Sequence, residues 1–577
     1  LITRKKHLVA IMQKLKEFFY SRLKKVLTVI ILSGLALFTS SYVDDYFAIS
    51  KNLEIFTTVF RQVNAYYVDE TKPGELAKTG IDAMLKNLDP YTTYIPESEI
   101  EDYRFMTTGQ YGGIGSLIRK KGEYIVISEP YEGFAAYKSG LLAGDTLLMV
   151  DGKSVKNKKT DEMSKILKGQ PGTSITVVIK RDGKEIEKKI TREEIKVKAV
   201  PYAGMLEDGI GYMVLTSFTE NCSKEISDAL DSLKKNHQIK SLILDLRGNP
   251  GGLLHESVNI ANLFVEKGQE IVSTRGKVTE WQKSYKALNN AFDKDLPLIV
   301  LVNKGSASAS EIVSGSLQDL DRAVIMGQRT FGKGLVQTTK NLTYNSKLKV
   351  TTAKYYVPSG RCIQALDYSH RNADGSVGKV ADSLMKAFKT KAGRTVFDGG
   401  GIKPDISIPT TDVSTIARTL ENKAFTFDFA VQYRKKHPNI ALAKDFRLTD
   451  AEYNDFLTFI HGKDYSYVTN TEKVFKDLKK IIEEEQYMDA AKEEYKSLEQ
   501  KVLHHEQEDL ITFKDDIKKI IEREIVTQYY YQKGKIQYGL SNDAEVKKAI
   551  DLFKDNAKFK SILAGTYLEP AVEGDKQ

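Results

Sequence analysis

Cysteine is nearly absent from this chain. Cys222 and Cys362 are the only two among 577 residues, which excludes a disulfide framework and a cysteine-rich zinc site. Eight histidines are scattered, and none forms an H-E-x-x-H pair, so no zincin-type metal centre is expected. His504 and His505 fall in a charged helical pattern and read as exposed. A net positive charge is also missing from most of the chain. The formal charge is +9, but residues 1–25 hold eight Lys and Arg against Glu17 alone and so carry seven of those charges. The remainder is close to neutral, which leaves no nucleic-acid footprint. The Gly-rich turn DLRGNPGGLL lacks the Gly-Lys-Ser/Thr ending of a phosphate loop.

What is present begins at that basic start. It runs into the 13-residue, mainly apolar run VLTVIILSGLALF (Val26 to Phe38) and then TSSY. This is the layout of an export signal, and it is short for a bilayer span, which needs about 20 apolar residues. The expected location is therefore exported, either periplasmic or membrane-anchored and facing the periplasm. No cysteine follows the run, so lipid attachment there is not expected.

The length implies several domains. Residues 45–105 read as helical, with a break at Pro90 in NLDPYTTYI. From Gly109 the period changes to that of strands around Gly-rich turns, including a hairpin across Asp182-Gly183. Strand–loop–helix units then follow, such as SLILDLRGNPGG leading to LLHESVNIANLFV, and this alternation implies an α/β domain. Beyond GGIKPDISIP the chain is Lys/Glu-rich and helical. The expected divisions are 1–42, a basic segment with a signal or anchor; 43–98, helical; 99–192, mostly β; 193–410, the α/β core; and 411–577, a helical extension.

The chemistry is sought first in NKGSASASEI, which sets Ser306, Ser308 and Ser310 at alternate positions before a helical pattern. Ser308 with Glu311 fits the S-x-x-E capping box. A serine at a strand-to-helix turn also lies beside free N–H groups at the positive end of a helix, so a cap and a nucleophile are compatible readings. Alternation alone does not choose among the three. DLRGNPGGLL ends another strand in a Gly-rich turn, where Gly251 or Gly252 could donate to an oxyanion. Two bases are available, His255 just after that turn and Lys333 in TFGKGLVQ.

These motifs, together with YYVPSGRCIQ and GGIKPD, occur in the order found in the carboxy-terminal processing peptidases, or tail-specific proteases, which residues 45–410 resemble. GQYGGIGSLI and EPYEGFAAYKSGLLAGDTLLMVDGKSV resemble the PDZ domain of that family. The resemblance implies a β/α protease core with an inserted PDZ domain. It assigns the nucleophile to Ser308, the general base to Lys333 and the residue orienting that lysine to Gln337. The oxyanion donors would be the N–H of Ala309 and one from Gly251 or Gly252, and His255 becomes a bystander. The loop Gly113, Ile114 and Gly115 would hold a substrate's terminal carboxylate, with Ile114 lining the pocket.

The expected activity is that of a serine endopeptidase without metal or cofactor, acting on proteins with exposed C-terminal tails. Membrane contact through the N-terminal segment is a further expectation, as is a homo-oligomer or adaptor contact through the C-terminal helices. The rival readings are a non-catalytic PDZ scaffold and a Ser–His peptidase using His255.

Overall fold

The structure is a computed structural model that describes residues 20–25, 27–28, 46–207, 209–372, 375–410, 413–502 and 506–567. Most of the expected export signal, and both His504 and His505, lie outside the described residues. Among those described, no helix is long and apolar enough to cross a membrane. The chain divides into two compact units, Leu1–Asn87 and Leu88–Gln577. The first contains a helix at residues 46–66 and another at Pro73–Lys86, which opens on its proline.

In the second unit, one antiparallel sheet runs in the order Ser116–Lys121, Tyr124–Pro130, Thr146–Val150, Ser174–Arg181, Lys184–Thr191. The last pair is the hairpin expected across Asp182-Gly183, whose φ angles of 51° and 79° suit a two-residue turn. Alternate residues such as Ile125, Ile127, Leu147, Val177 and Ile179 face a closed core under the short helix Thr160–Leu167. At the neck of this domain, Gln110–Gly113 pairs antiparallel with Glu193–Lys196.

The central sheet is ordered Tyr202–Met205, Ile210–Val214, Ser241–Asp245, Leu298–Val302, Val324–Gly327, Ile406–Ser407, and it is parallel from its second strand onward. Strands buried on both faces read as continuous apolar runs, and LILDL and LIVLV do so. One face packs on the helices Cys222–His237, Leu254–Asn262 and Ala309–Asp319 through Leu242, Leu244, Val300 and Ile325. The other face carries Tyr212, Ile243, Ile299, Leu301 and Met326. It is covered by Val546, Ile550, Phe559 and Ile562 from the last two helices, Ala544–Lys554 and Asn556–Leu563. The segment expected as an extension therefore supplies one layer of the core.

The helices between residues 415 and 542 build a core of their own around Phe429, Tyr433, Phe456, Ile517 and Ile525. They also dock on the outer face of the β-domain. There Val126 packs with Ala424 and Phe427, and the Arg119 guanidinium lies over the Phe427 ring at 5.0 Å. A further sheet contains Thr93–Ile95, Lys347–Tyr356, Glu270–Arg275, Lys283–Lys286 and Leu335–Asn341. The Thr93–Ile95 strand lies in the region read as helical and is a correction to that reading.

Candidate active site

Ser308 is the N-cap of the Ala309–Asp319 helix, at φ 54° and ψ −111°. A side chain on such a backbone is costly and is retained only where the surroundings impose it, as at a nucleophile elbow. Its neighbours do the imposing. Ser306 is fully buried and donates to Leu246 O at 2.8 Å, while Ser310, also buried, donates to Asn249 O at 2.9 Å. Ser308 itself is partly exposed and lines a cleft of about 540 Å³.

Glu311 at N3 completes a capping box with Ser308, and the Ser308 N–H donates to its carboxylate at 2.8 Å. The same carboxylate accepts from the Thr330 hydroxyl at 2.5 Å, from Gly332 N–H at 2.7 Å and from Lys333 N–H at 2.8 Å. It therefore ties the start of the helix to the turn that carries Lys333. Complete burial pushes its carboxyl up to about 7, against the pull of the four donors.

Lys333 lines the same cleft, and burial, together with the nearby Lys349 ammonium, lowers its amine to about 8. Its Nζ lies 4.2 Å from the centroid of the Tyr91 ring. Among the described residues, no hydrogen bond joins it to Ser308 or Gln337. Gln337 instead donates from Nε2 to the Thr351 hydroxyl at 3.1 Å, because the two strands that carry them are paired. Gln337 nevertheless lines the same cleft as Lys333.

The Gly-rich turn meets the serine turn directly. A Cβ on Gly251, at φ 97°, would lie 2.9 Å from both Ala309 N and Ser308 Cβ. Ala307 N–H donates to Asn249 O at 3.0 Å and fixes this approach. Gly251 N–H donates to Asn249 Oδ1 at 2.9 Å and is spent within the turn. Among the described residues, the N–H groups of Gly252 and Ala309 have no acceptor, and both residues line the cleft. Of the two glycines, Gly252 is therefore the one with a donor to give.

His255 has an exposed side chain, 3.5 Å from Glu256, and is not among the residues lining the cleft. At the neck of the β-domain, Gly113 pairs with Glu193. Ile114 is buried in the domain core with Ile125, Ile127 and Leu141. Gly115, at φ 73°, abuts the Phe134 Cβ. Beside this loop, Ser116–Lys121 is an edge strand whose free side a peptide could extend.

Sequence reasoning missed Tyr91, Lys349, Asn249 and Thr330. Tyr91 stands in NLDPYTTYI, where Pro90 drew attention only as a helix breaker. Its partner lies over 240 residues away, so the local pattern carries no trace of the contact.

Residues 209–369 match the model of peptidase family S41, residues 126–181 that of a PDZ domain, and residues 416–553 that of a probable PDZ-protease C-terminal helical domain. The carboxy-terminal-processing protease of Bartonella bacilliformis is 40% identical over 321 residues, covering 55% of this chain and 73% of that protein. A probable CtpA-like serine protease of Staphylococcus aureus is 35% identical over 388 residues, covering 67% and 76% respectively. Among solved structures, a photosystem II D1 C-terminal processing protease is 28% identical and covers 62% of this chain and 94% of its own, with a TM-score of 0.34. The chain belongs to peptidase family S41 and is a carboxy-terminal processing serine protease that carries a PDZ domain.

Proposed function

We propose that the protein is an exported endopeptidase in which Ser308 is the nucleophile and Lys333 its general base. The observation that carries this reading is the shared cleft, in which a strained, accessible serine and a lysine amine lowered to about 8 stand beside two unpartnered N–H groups. Neutral Lys333 takes the hydroxyl proton as Ser308 Oγ bonds to the scissile carbonyl carbon. The N–H groups of Ala309 and Gly252 hold the oxyanion. Lysine then returns the proton to the leaving amine as the C–N bond breaks, and water hydrolyses the acyl-enzyme. The amine leaves the Tyr91 ring to reach the hydroxyl, since catalytic hydrogen bonds commonly tighten only in the substrate complex.

The PDZ domain captures C-terminal tails by strand addition at Ser116–Lys121, with the terminal carboxylate at the Ile114–Gly115 turn. Met106, Leu254, Ile312, Leu335 and Val336 give the cleft apolar walls, which favours apolar tail residues. The basic start and its apolar run support export. The test is cleavage of an unstructured peptide with a free C-terminus. Wild type is expected to cleave it and Ser308→Ala to leave it intact, and cleavage by folded Ser308→Ala would end the reading.

A further inference from the structure

Glu545 stands at the start of the Ala544–Lys554 helix, far along the chain from the cleft. Its carboxylate nevertheless touches both catalytic arms. Oε2 accepts from Arg247 Nη1 at 2.6 Å, and Oε1 accepts from Gln328 Nε2 at 2.6 Å. Arg247 follows the Ser241–Asp245 strand and lies two residues before Asn249, which holds the Gly251 N–H and accepts from Ala307 and Ser310. Gln328 follows the Val324–Gly327 strand and lies two residues before Thr330, which holds Glu311. One carboxylate thus bridges the ends of the strands that launch the oxyanion turn and the base turn.

The bridge is itself fixed. Asp543 is the N-cap of the same helix, with Oδ1 accepting from Glu545 N–H at 2.9 Å and Val546 N–H at 3.1 Å. Its Oδ2 accepts from Arg247 Nη2 at 2.7 Å. Asp245 takes the remaining guanidinium face at 2.5–3.0 Å and also accepts from the Tyr212 hydroxyl. The side chains of Arg247, Asp543 and Glu545 are each less than one-fifth exposed, so solvent screens the cluster weakly.

We infer that Glu545, braced by Asp543, is a positioning residue that straps the oxyanion turn to the base turn, so that the C-terminal helical domain sets the geometry of the active site. This rests on the reading of Ser308, Lys333 and Gly252 above. Both carboxylate oxygens are needed, because both partners are donors. Small displacements of a reacting geometry have large rate effects, on the order of 10²-fold for 1 Å.

The experiment compares full-length wild type with Glu545→Ala, Glu545→Asp and Gln328→Ala on one unstructured peptide. The measurements are kcat and KM per folded molecule, the rate of fluorophosphonate labelling of Ser308, and peptide affinity of the PDZ domain. Glu545→Asp keeps the charge and the acidic helix start but shortens the reach, which guards against a variant that fails to fold. The expected result is a fall in kcat of about tenfold or more, with slower labelling and with KM and PDZ affinity unchanged. Gln328→Ala should show the same split, and the double variant with Glu545→Ala should lose no more than the worse single one.

Wild-type kcat per folded molecule in the Glu545 variants would overturn the inference, as would multiplicative losses in the double variant. Wild-type labelling and turnover are expected to vanish in Ser308→Ala. Their persistence would overturn the nucleophile assignment, an outcome distinguishable from failure of the strap.

Discussion

Ser306 and Ser310 spend their hydroxyl hydrogens on backbone carbonyls, whereas Ser308 keeps its hydroxyl at the cleft. Replacing Ser308 by alanine should remove the covalent route and leave at most about 10³-fold catalysis over water. Ser306→Ala and Ser310→Ala should instead lose stability, about 0.5–1.5 kcal/mol for each hydrogen bond lost, and keep activity per folded molecule; thermal melts beside turnover check both.

The lysine has its own signature. Only the neutral amine can accept the proton, so kcat should climb with pH through about 8 and level off above it. A flat profile between pH 6 and 9 would exclude Lys333 as the base. Lys333→Arg should stay inactive throughout, because guanidinium keeps its charge.

Glu311 ties the serine turn to the lysine turn. Glu311→Gln would turn an amide N–H towards donors that now share a carboxylate, so one oxygen's set of bonds is lost. We expect a folded protein with kcat reduced by about tenfold or more, measured against its circular dichroism. The S-x-x-E spacing made the cap legible. The additional partners at Thr330 and Gly332 were not, since they arrive from the turn that follows another strand.

Individual elements differ in how much of them is local. The Asp182-Gly183 hairpin was readable because its turn demands positive φ at both residues, and Asp and Gly tolerate that. The Thr93–Ile95 strand was not, because three residues become a strand only by pairing with Lys347–Lys349. The carboxylate loop shows the same division. Its glycines marked a close backbone approach, but whether Ile114 faced a pocket or the core depended on what packed over it.

If the Ile114–Gly115 turn reads a free terminus, amidating the substrate tail should weaken binding about tenfold or more, the loss of a charge-assisted hydrogen bond of ~1.5–3 kcal/mol. Equal affinity for both forms in a titration would exclude terminus reading. Docking of the PDZ sheet on the C-terminal helices rests on Phe427, which is 2% exposed. Phe427→Ala should cost about 3–5 kcal/mol and lower the melting temperature.

Across the whole molecule, the central sheet needs cover on both faces, and residues 544–563 supply one of them. A chain ending at residue 410 should therefore aggregate or remain partly unfolded, which size-exclusion chromatography and circular dichroism would register; a monomeric, fully active 1–410 fragment would refute this. Sequence by itself determined the α/β class, the strand–turn–helix setting of Ser308, the glycine flanks of Lys333 and the helical character of the C-terminal segment. Each is a matter of local period, turn chemistry or residue order, and those act over a few neighbouring residues. Only the tertiary structure decided which of the two glycines has a free N–H, that the lysine rests on Tyr91, and that a C-terminal carboxylate joins Arg247 to Gln328. Those facts depend on which distant strands and helices share a buried face, and a buried donor or acceptor takes whatever partner packing brings within reach.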